Sequence, residues 1–344
     1  MEEYIINCES SIKDALIKLD KLNGEGVIFI INNDNILLGS LTDGDIRRGL
    51  LQGLKLDDLA LTVANLTPKC LIEKSIDINI ISIFREKKLK IIPIVNLENK
   101  IIQILDFKKN RSYLPFDVVI MAGGKGERLR PLTEKTPKPL LKVADKPIIE
   151  HIFDRLLFFG VRDFTISINY LGHQIKDYFS SKKIENVNLQ FIEEKVPLGT
   201  IGSVSLIENF TNEYVLLTNS DLLTNLDYEN LFQEFLKSNS DMAIVSIPYE
   251  VKIPYAVLEI NNGLVTSLVE KPQYTYYSNA GIYLFKKHLL KNIPYNSYYN
   301  ATDLVEEVIK IGGTIFNYSL NDLWIDIGTH SDFEKANNIL KKSF

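Results

Sequence analysis

A glycine-rich segment in the middle of the chain carries the residue types best suited to phosphate chemistry. The sequence MAGGKGERLRPLT (121–133) places three glycines within four positions, and Pro-Lys-Pro follows at 137–139. Glycines let a backbone approach a ligand closely and point several N–H groups into one concavity, which suits a polyphosphate. Residues 125–146 contain seven basic and three acidic residues, an excess of four positive charges in a chain of net charge −5. The segment therefore predicts a local phosphate site.

Two common phosphate motifs do not fit this segment. A Walker loop needs Gly-Lys-Ser/Thr after four free positions, and a dinucleotide fingerprint needs a third glycine where Leu129 stands. The plain alternative is a glycine-rich turn with solvated lysines. It does not require Arg128, Arg130 and Pro-Lys-Pro to follow in this order.

The segment resembles the signature of the sugar-1-phosphate nucleotidyltransferases, or nucleoside-diphosphate-sugar pyrophosphorylases, G-G-x-G-x-R-L-x-P-L-T with P-K-P a few residues later. Related landmarks extend the resemblance over residues 116 to about 335. The resemblance implies that the glycine loop holds the nucleotide, that Arg128 contacts phosphate and that Lys138 contacts the phosphates at the reacting centre. The nucleotide-binding residues it implies in the loop are Ala122, Gly123, Gly124 and Gly126.

Two aspartates end apolar segments farther along the chain. Asp221 follows LLTNS (216–220), and Asp326 follows Trp-Ile (324–325). Two carboxylates at strand ends can hold one Mg²⁺ that keeps several waters and takes its other ligands from substrate phosphates. Alone, Asp221 is equally explained as a helix cap or Asx turn, and Asp326 as a loop carboxylate. Both match metal-binding positions implied by the resemblance, although Ser220 stands where relatives commonly have glycine, so we expect Mg²⁺ here.

Three further landmarks point to a sugar site. Glu270-Lys271-Pro272 matches the E-K-P of the family, which implies that Glu270 binds sugar hydroxyls and Lys271 the sugar phosphate. A solvated charge pair is the alternative. Asn279 begins an N-x-G-I-Y match, and Ala256 replaces the usual glycine of Tyr-Gly-Val. The extra methyl group of Ala256 leaves the identity of the hexose open.

The stretch EEKVPLGT (193–200) bears on the choice of base. The resemblance places Gly199 close to the base and Glu194 where thymidylyl- and uridylyltransferring relatives frequently have glutamine. A carboxylate only accepts hydrogen bonds, so Glu194 complements the two adjacent donors of guanine and would repel the oxygens of uracil or thymine. The stretch also resembles mannose- and heptose-1-phosphate guanylyltransferases. The alternative is that Glu194 points to solvent while backbone groups read the base.

We therefore expect a sugar 1-phosphate oxygen to attack the α-phosphorus of a nucleoside triphosphate and expel pyrophosphate, with Arg128, Lys138 and Lys271 offsetting charge. Three alternatives remain open. The first is a uridylyl- or thymidylyltransferase. The second is a metal-dependent glycosyltransferase, although an Asp-x-Asp motif is absent around Asp221. The third is a non-catalytic protein that senses a nucleotide.

The elements that must position these residues alternate between strand and helix. Apolar runs at 116–121, 164–168 and 214–217 are separated by helical patterns such as 148–159. Such alternation predicts an α/β fold with a mixed, mainly parallel, Rossmann-like sheet, in which ligands bind at the carboxyl ends of strands. Together with the resemblance, this alternation predicts a GT-A-like nucleotidyltransferase domain at 113–344. A polar, basic linker at 107–115 precedes it.

The first 110 or so residues contain a weak internal repeat, because an offset of 64 superposes Val27–Ile31 on Ile91–Val95. Each copy reads as helix, strand, turn, strand. The pair resembles a tandem CBS domain at 1–112, with α+β repeats of about 1–62 and 63–112. This resemblance implies an adenine nucleotide held by Thr42 and Asp45, whereas the alternative is that both merely cap a helix from Ile46 onward. The second copy departs from the pattern.

The combined architecture resembles CBS-containing glucosamine-1-phosphate guanylyltransferases of the legionaminic acid route, which serves bacterial surface and flagellin glycosylation. Because CBS modules usually associate in pairs, we expect a homodimer or higher homo-oligomer. The net charge of −5 gives no general field for nucleic acid or an anionic membrane. The N-terminal MEEYIINCESS lacks the basic start of a signal peptide, and no run approaches the ~18 apolar residues of a membrane span. We therefore expect a cytoplasmic protein.

Overall fold

The structure, a computed structural model, describes residues 1–22, 26–73, 76–182, 184 and 186–342. The chain divides into two compact units, Met1–Tyr113 and Leu114–Phe344. The division falls beside residue 112, where the sequence predicts a domain boundary. None of the helices in the described ranges has the length and apolar character that crossing a membrane requires.

The N-terminal unit contains two halves of the same design. In each half a short strand pairs in parallel with a longer strand, which pairs antiparallel with a third strand. The longer strands and the third strands of the two halves lie 64 residues apart, which is the offset of the sequence repeat. The first half contains β1 (Ile5–Asn7), α1 (Ile12–Lys21), β2 (Val27–Ile31), β3 (Leu37–Thr42) and α2 (Asp43–Leu51), and the second contains β4 (Leu71–Ile72), α3 (Ile78–Glu86), β5 (Ile91–Val95) and β6 (Ile101–Asp106).

The two halves are joined by a symmetric pair of turns and by a shared core. The N–H of Leu37 donates to the carbonyl of Asn99 (2.9 Å), and the N–H of Ile101 donates to the carbonyl of Asn35 (3.2 Å). Both asparagines have left-handed backbones, with φ of 64° and 60°, a conformation that asparagine adopts more readily than most residues. One core cluster contains buried residues of both halves: Tyr4, Phe29, Leu37, Ile91, Val95 and Ile101. Neither half therefore buries its sheet alone.

The C-terminal unit is an α/β structure. Its strands are β7 (Phe116–Ala122), β8 (Lys142–Val143), β9 (Lys146–Pro147), β10 (Asp163–Ile168), β11 (Asn188–Glu193), β12 (Tyr214–Asn219), β13 (Leu222–Thr224), β14 (Met242–Lys252), β15 (Val257–Asn261), β16 (Leu264–Val269), β17 (Gln273–Lys286), β18 (Ile315–Ser319) and β19 (Trp324–Asp326). Its helices are α4 (Ile148–Phe158), α5 (Gly172–Ser180), α6 (Tyr228–Ser238), α7 (Ala301–Lys310) and α8 (His330–Lys342).

The central sheet of this unit has the order β11-β10-β7-β12-β17-β14-β18. The strands β11, β10, β7 and β12 run parallel, β17 lies antiparallel between β12 and β14, and β18 is parallel to β14. The prediction of an α/β fold with a mixed, mainly parallel sheet is thereby confirmed. β7 is buried along nearly its whole length, as is usual for parallel strands inside an α/β sheet that is covered on both faces, which explains why all its residues except Asp117 are apolar.

The strands β14 and β17 continue beyond the sheet as an arm, residues 247–278. β12 pairs with β17 only at Tyr214–Thr218, and β18 pairs with β14 only as far as Ser246. Farther out, among the described strands, β14 and β17 pair with each other alone, and the β15–β16 hairpin follows at the far end. Most side chains of the arm are exposed, including Tyr255 at 75% and Leu264 at 74%.

Candidate active site

A cavity of about 610 Å³ lies where β7 and β12 end. These strands are parallel, so their carboxyl ends meet at one edge of the sheet, where ligands of such sheets bind. The N–H of Ser220 donates to the carbonyl of Met121 (3.2 Å) and joins the two strand ends. The residues of the cavity wall that the sequence predicted are Gly123, Gly124, Gly126, Arg128, Lys138, Glu194, Gly199 and Asp221.

The glycine loop is shaped by contacts with the segment that follows it. Gly126 has a left-handed backbone with φ of 63°, and a Cβ atom there would lie 3.0 Å from Cβ of Lys138 and from Cγ2 of Thr133. The Thr133 hydroxyl donates to the carbonyl of Gly126 (2.8 Å). A Cβ atom on Gly124, in contrast, would meet open space. The loop is therefore packed on one side and open toward the cavity on the other.

Lys138 and two aspartates form the charged centre of the site. The Lys138 ammonium pairs with Asp221 and lies 3.9 Å from Oδ1 of Asp326. Pairing of β13 with β19 sets Leu222 opposite Asp326, and the N–H of Ile327 donates to the carbonyl of Asp221 (3.0 Å). Aspartates far apart in the sequence thus become neighbours.

The electrostatics of this centre favour a bound cation. Burial raises the pKa of the Asp326 carboxyl, and the Asp221 carboxylate raises it further, whereas Lys138 and Arg128 oppose both effects. Oδ1 of Asp221 and Oδ1 of Asp326 are buried without a hydrogen-bond partner. Across the described ranges no group of three or more potential metal ligands occurs. Two carboxylates with unused oxygens fit Mg²⁺, because this ion usually keeps waters and binds substrate phosphates.

Arg128 reaches the same centre from the short 3₁₀ helix Glu127–Leu129. The neighbouring Leu129 is fully buried and anchors this turn. A Cβ atom on Gly328 would lie 3.0 Å from Nη2 of Arg128, so the guanidinium rests against the glycine backbone. Sequence reasoning gave Gly328 no role, although its position two residues after Asp326 was the available signal.

Glu194 also lines the cavity and is only 6% exposed. The Ser167 hydroxyl donates to its Oε1 (2.6 Å), and the N–H of Leu198 donates to its Oε2 (3.0 Å). The alternative in which Glu194 points to solvent is therefore wrong for this structure. Gly199, beside it, has φ of 80°, and a Cβ atom there would lie 2.5 Å from the carbonyl oxygen of Tyr299.

Six residues predicted for this site do not line the cavity, and one of them, Asp326, lies 3.9 Å from the wall residue Lys138. Ala122 is buried within the end of β7. Ala256, Glu270 and Lys271 are exposed on the arm. Asn279 lies against a separate cavity of about 240 Å³, and its amide donates to the Tyr283 hydroxyl (2.5 Å). The structure thus assembles the predicted phosphate and base residues in one place but not the predicted sugar residues.

Several wall residues were missed by sequence reasoning. Tyr298 is 66% exposed at the edge of the cavity near Gly199, and Asn219 lies at the end of β12. The side chain of Asn219 packs on Gly281, whose neighbour Ala280 accepts a hydrogen bond from the Trp324 indole (3.0 Å). Tyr298 stands outside the quoted motifs, and Asn219 lies in the quoted segment 216–220 without a charge to mark it, so only their tertiary positions reveal them.

Thr42 and Asp45 form a capping box on α2 in the N-terminal unit. The Thr42 hydroxyl and N–H donate to the Asp45 carboxylate (2.6 and 2.9 Å), and the N–H of Asp45 donates to the Thr42 oxygen (3.2 Å). Arg48 also pairs with Asp45. α2 begins at Asp43, ahead of the predicted start at Ile46. Both side chains therefore cap the helix, as the alternative interpretation held.

Comparison with known proteins gives relatives for the C-terminal unit. A mannose-1-phosphate guanylyltransferase catalytic subunit beta from Drosophila melanogaster is 32% identical over 62% of this chain and 60% of its own length. The bifunctional protein GlmU of Methanocaldococcus jannaschii is 30% identical over 65% of this chain and 54% of its own. The chain thus spans little more than half the length of these curated relatives.

Among solved structures, HddC from Yersinia pseudotuberculosis is similar with a TM-score of 0.50 and 28% identity, over 65% of this chain and 99% of its own. A structure of the same protein complexed with GMP-PN has 29% identity and the same TM-score. The sequence profile of the nucleotidyl transferase family matches residues 117–343, which include the whole cavity wall. This chain belongs to the nucleotidyl transferase family.

Proposed function

We propose that this protein is a sugar-1-phosphate nucleotidyltransferase, which condenses a nucleoside triphosphate with a hexose or hexosamine 1-phosphate to give a nucleoside-diphosphate sugar and pyrophosphate. The observation that carries the proposal is the cavity itself. Its wall combines an open glycine loop with Arg128, Lys138 and Asp221, and Lys138 pairs with Asp221 and lies 3.9 Å from Oδ1 of Asp326. Such a set is suited to binding phosphates and neutralising their charge.

The reaction needs no covalent intermediate with the enzyme. A phosphate oxygen of the sugar 1-phosphate attacks the α-phosphorus of the triphosphate, and the bond to the β-phosphate oxygen breaks in line, so pyrophosphate leaves with the bonding electrons. The protein contributes positioning and charge neutralisation. Arg128 and Lys138 offset negative charge on the phosphates, and backbone N–H groups of the glycine loop cradle them. Asp221 and Asp326 would hold Mg²⁺, which supplies additional positive charge when bound.

The base we propose is guanine. Glu194 lines the cavity together with Gly199, and each of its carboxylate oxygens retains acceptor capacity beside its protein donor. Guanine offers two neighbouring N–H donors. The guanylyltransferases among the relatives and the GMP-PN complex of HddC support the same choice.

The sugar assignment is the least constrained part of the proposal. We favour glucosamine 1-phosphate and a place in the legionaminic acid route, because the N-terminal unit has the duplicated design expected of a CBS pair. An adenine nucleotide at that pair and a homo-oligomeric state remain part of the proposal. In the capping box the Thr42 hydroxyl and the Asp45 carboxylate already form hydrogen bonds at the start of α2. A bound nucleotide must therefore use their remaining lone pairs or displace the cap.

The decisive experiment is a matrix of GTP, UTP, dTTP and CTP against several hexose and hexosamine 1-phosphates, with pyrophosphate release as the signal. We expect release only with GTP and most rapidly with glucosamine 1-phosphate. Preference for UTP or dTTP would replace the guanine assignment, and no release from any pair would overturn the proposed activity. Titration of ATP and AMP during turnover tests the CBS assignment separately.

A further inference from the structure

Ser167 is a buried hydroxyl of the central sheet that stands directly behind the proposed base-reading group. It lies in β10, between β7 and β11, and is 1% exposed. Its hydroxyl donates to Oε1 of Glu194 at 2.6 Å. A hydrogen bond of this length to a carboxylate is charge-assisted and stronger than one between neutral groups. Ser167 is therefore suited to fix Glu194 and is itself shielded from any ligand.

The rest of Glu194 is fixed as firmly as its Oε1. Its N–H donates to the carbonyl of Ile168 (2.9 Å), and its carbonyl accepts from the Asn169 amide (2.6 Å). The N–H of Leu198 donates to Oε2 (3.0 Å). With one donor on each oxygen, rotation of the carboxylate would break a hydrogen bond in a buried place, which is costly.

The glycine loop leaves this carboxylate facing the cavity. A Cβ atom on Gly123 would lie 3.2 Å from Oε1 of Glu194, so the absence of a side chain there keeps the oxygen accessible from the cavity. Across the ion pairs of the described ranges, none includes Glu194. The charge of this buried carboxylate is therefore offset by hydrogen-bond donors, of which Ser167 is the only side chain observed.

We propose that Ser167 is the positioning residue that sets the base selectivity of this site, by holding the Glu194 carboxylate so that its two oxygens meet two adjacent N–H donors of a guanine base. The inference rests on the proposed function, in which Glu194 reads the base. It adds that selectivity depends on the fixed orientation of the carboxylate as well as on its presence. Ser167 does not touch the substrate.

Inosine triphosphate is the probe that isolates this effect, because its base keeps the N1–H donor of guanine and lacks the exocyclic amine. With a fixed carboxylate, this analogue leaves one buried oxygen without its ligand partner, and we expect the wild-type enzyme to prefer GTP by at least about tenfold in kcat/KM. In Ser167→Ala the Glu194 carboxylate loses one hydrogen bond and can rotate, so that its two oxygens accept hydrogen bonds from other donors. We expect the GTP-to-ITP ratio to fall several-fold while KM for the sugar 1-phosphate stays unchanged.

The full-length protein is used, and pyrophosphate release is measured for wild type, Ser167→Ala, Ser167→Thr and Ser246→Ala. Ser246→Ala is the matched control, since Ser246 is a buried serine of the same sheet, 3% exposed, and lies outside the active-site cavity. Ser167→Thr keeps the hydroxyl and should retain a ratio close to that of wild type. Thermal unfolding of each variant verifies that the fold persists.

Two results would overturn the inference without touching the proposed function. One is an unchanged GTP-to-ITP ratio in Ser167→Ala, and the other is an equal fall in Ser246→Ala. Glu194→Gln separates the two levels of the argument. If wild type favours GTP and Glu194→Gln abolishes that preference while Ser167→Ala keeps it, only the role of Ser167 fails. If wild type prefers GTP over UTP, dTTP and CTP but not over ITP, only the role of Ser167 fails. If wild type does not prefer GTP over the pyrimidine triphosphates, the guanine assignment fails, and the role of Ser167 fails with it.

Discussion

The cavity wall and the arm of the C-terminal unit carry predicted site residues in opposite physical settings. Around the cavity, Lys138 and Glu194 are at most 9% exposed and are held by hydrogen bonds or ion pairs. On the arm, Ala256, Glu270 and Lys271 are exposed, and no other described strand pairs with β14 or β17 in that region. The groups that we propose hold phosphates and a base are therefore fixed in advance by packed elements.

The difference indicates which part of substrate recognition depends on rearrangement. Because a two-stranded ribbon is only marginally stable by itself, moving the arm should cost less free energy than moving the glycine loop. If Glu270 binds the sugar hydroxyls and Lys271 the sugar phosphate, the arm must supply both residues from outside the preformed cavity. Variants of the two regions should then differ in which substrate they affect.

The largest effect is expected from the charged centre. Lys138→Ala or Asp221→Asn should lower kcat by about 10³-fold, because each removes a group aimed at the reacting phosphates. Initial rates of pyrophosphate release provide the measurement. Lys142→Ala is the control, since Lys142 is exposed in the short strand that follows. Near-normal turnover in either variant would show that this centre is not catalytic.

The next effect is expected at Gly199. In Gly199→Ala the new methyl group would lie 2.5 Å from the carbonyl oxygen of Tyr299, with a strained φ of 80° as well. We expect KM for the triphosphate to rise at least about tenfold, since the loop beside the base must shift. Gly312→Ala shares the strained backbone, with φ of 79°, but meets nothing within 4 Å. Equal KM values in both variants would mean that the Gly199 loop does not contact the nucleotide.

A smaller effect, with a different substrate, is expected on the arm. Lys271→Ala should raise KM for the sugar 1-phosphate about tenfold, because it removes one charged contact to phosphate, and should leave KM for the triphosphate unchanged. Unfolding temperature should not change, because Lys271 is exposed. Lys252→Ala, at an exposed lysine of the same arm, is the control. If neither KM responds in Lys271→Ala, the arm takes no part in sugar binding.

The smallest effect is expected from a pair of tyrosines with similar exposure. Tyr298 is 66% exposed at the cavity edge and Tyr276 is 59% exposed on the arm. Tyr298→Ser should raise KM for the triphosphate a few-fold through lost contact area, whereas Tyr276→Ser should alter stability by no more than about 0.5 kcal/mol and leave that KM unchanged. Steady-state kinetics and urea unfolding measure the two quantities. A rise in KM from Tyr276→Ser alone would reverse the contrast between the regions.

Much of the fold could be predicted from local pattern. The predicted strands at 116–121, 164–168 and 214–217 lie within β7, β10 and β12. The pattern could not predict that β15 and β16 lie outside the central sheet. The periodicity of a strand does not show which other strands pair with that strand. The exposure of Glu270 and Lys271 follows from that position outside the sheet.

The site was predictable to the extent that a motif fixes its own geometry. The glycine loop and Lys138 are close in sequence and belong to one motif, so their meeting in one cavity could be predicted from that motif. Asp221 and Asp326 meet through pairing of the three-residue strands β13 and β19, which are too short to produce a periodic signal. Thr42 and Asp45 have the spacing of both a capping box and a ribose-binding pair, and only the hydrogen bonds distinguish them.

The single tryptophan of the chain has a useful position. Trp324 stands two residues before Asp326, and its indole N–H donates a hydrogen bond to the carbonyl of Ala280. The next residue, Gly281, packs on Asn219 of the cavity wall. Ala280 also belongs to β17, the strand that continues into the arm. The protein thus contains an intrinsic fluorophore connected to both regions. Its emission can follow nucleotide binding and movement of the arm in the unlabelled wild-type enzyme, on the time scale of a stopped-flow mixing experiment.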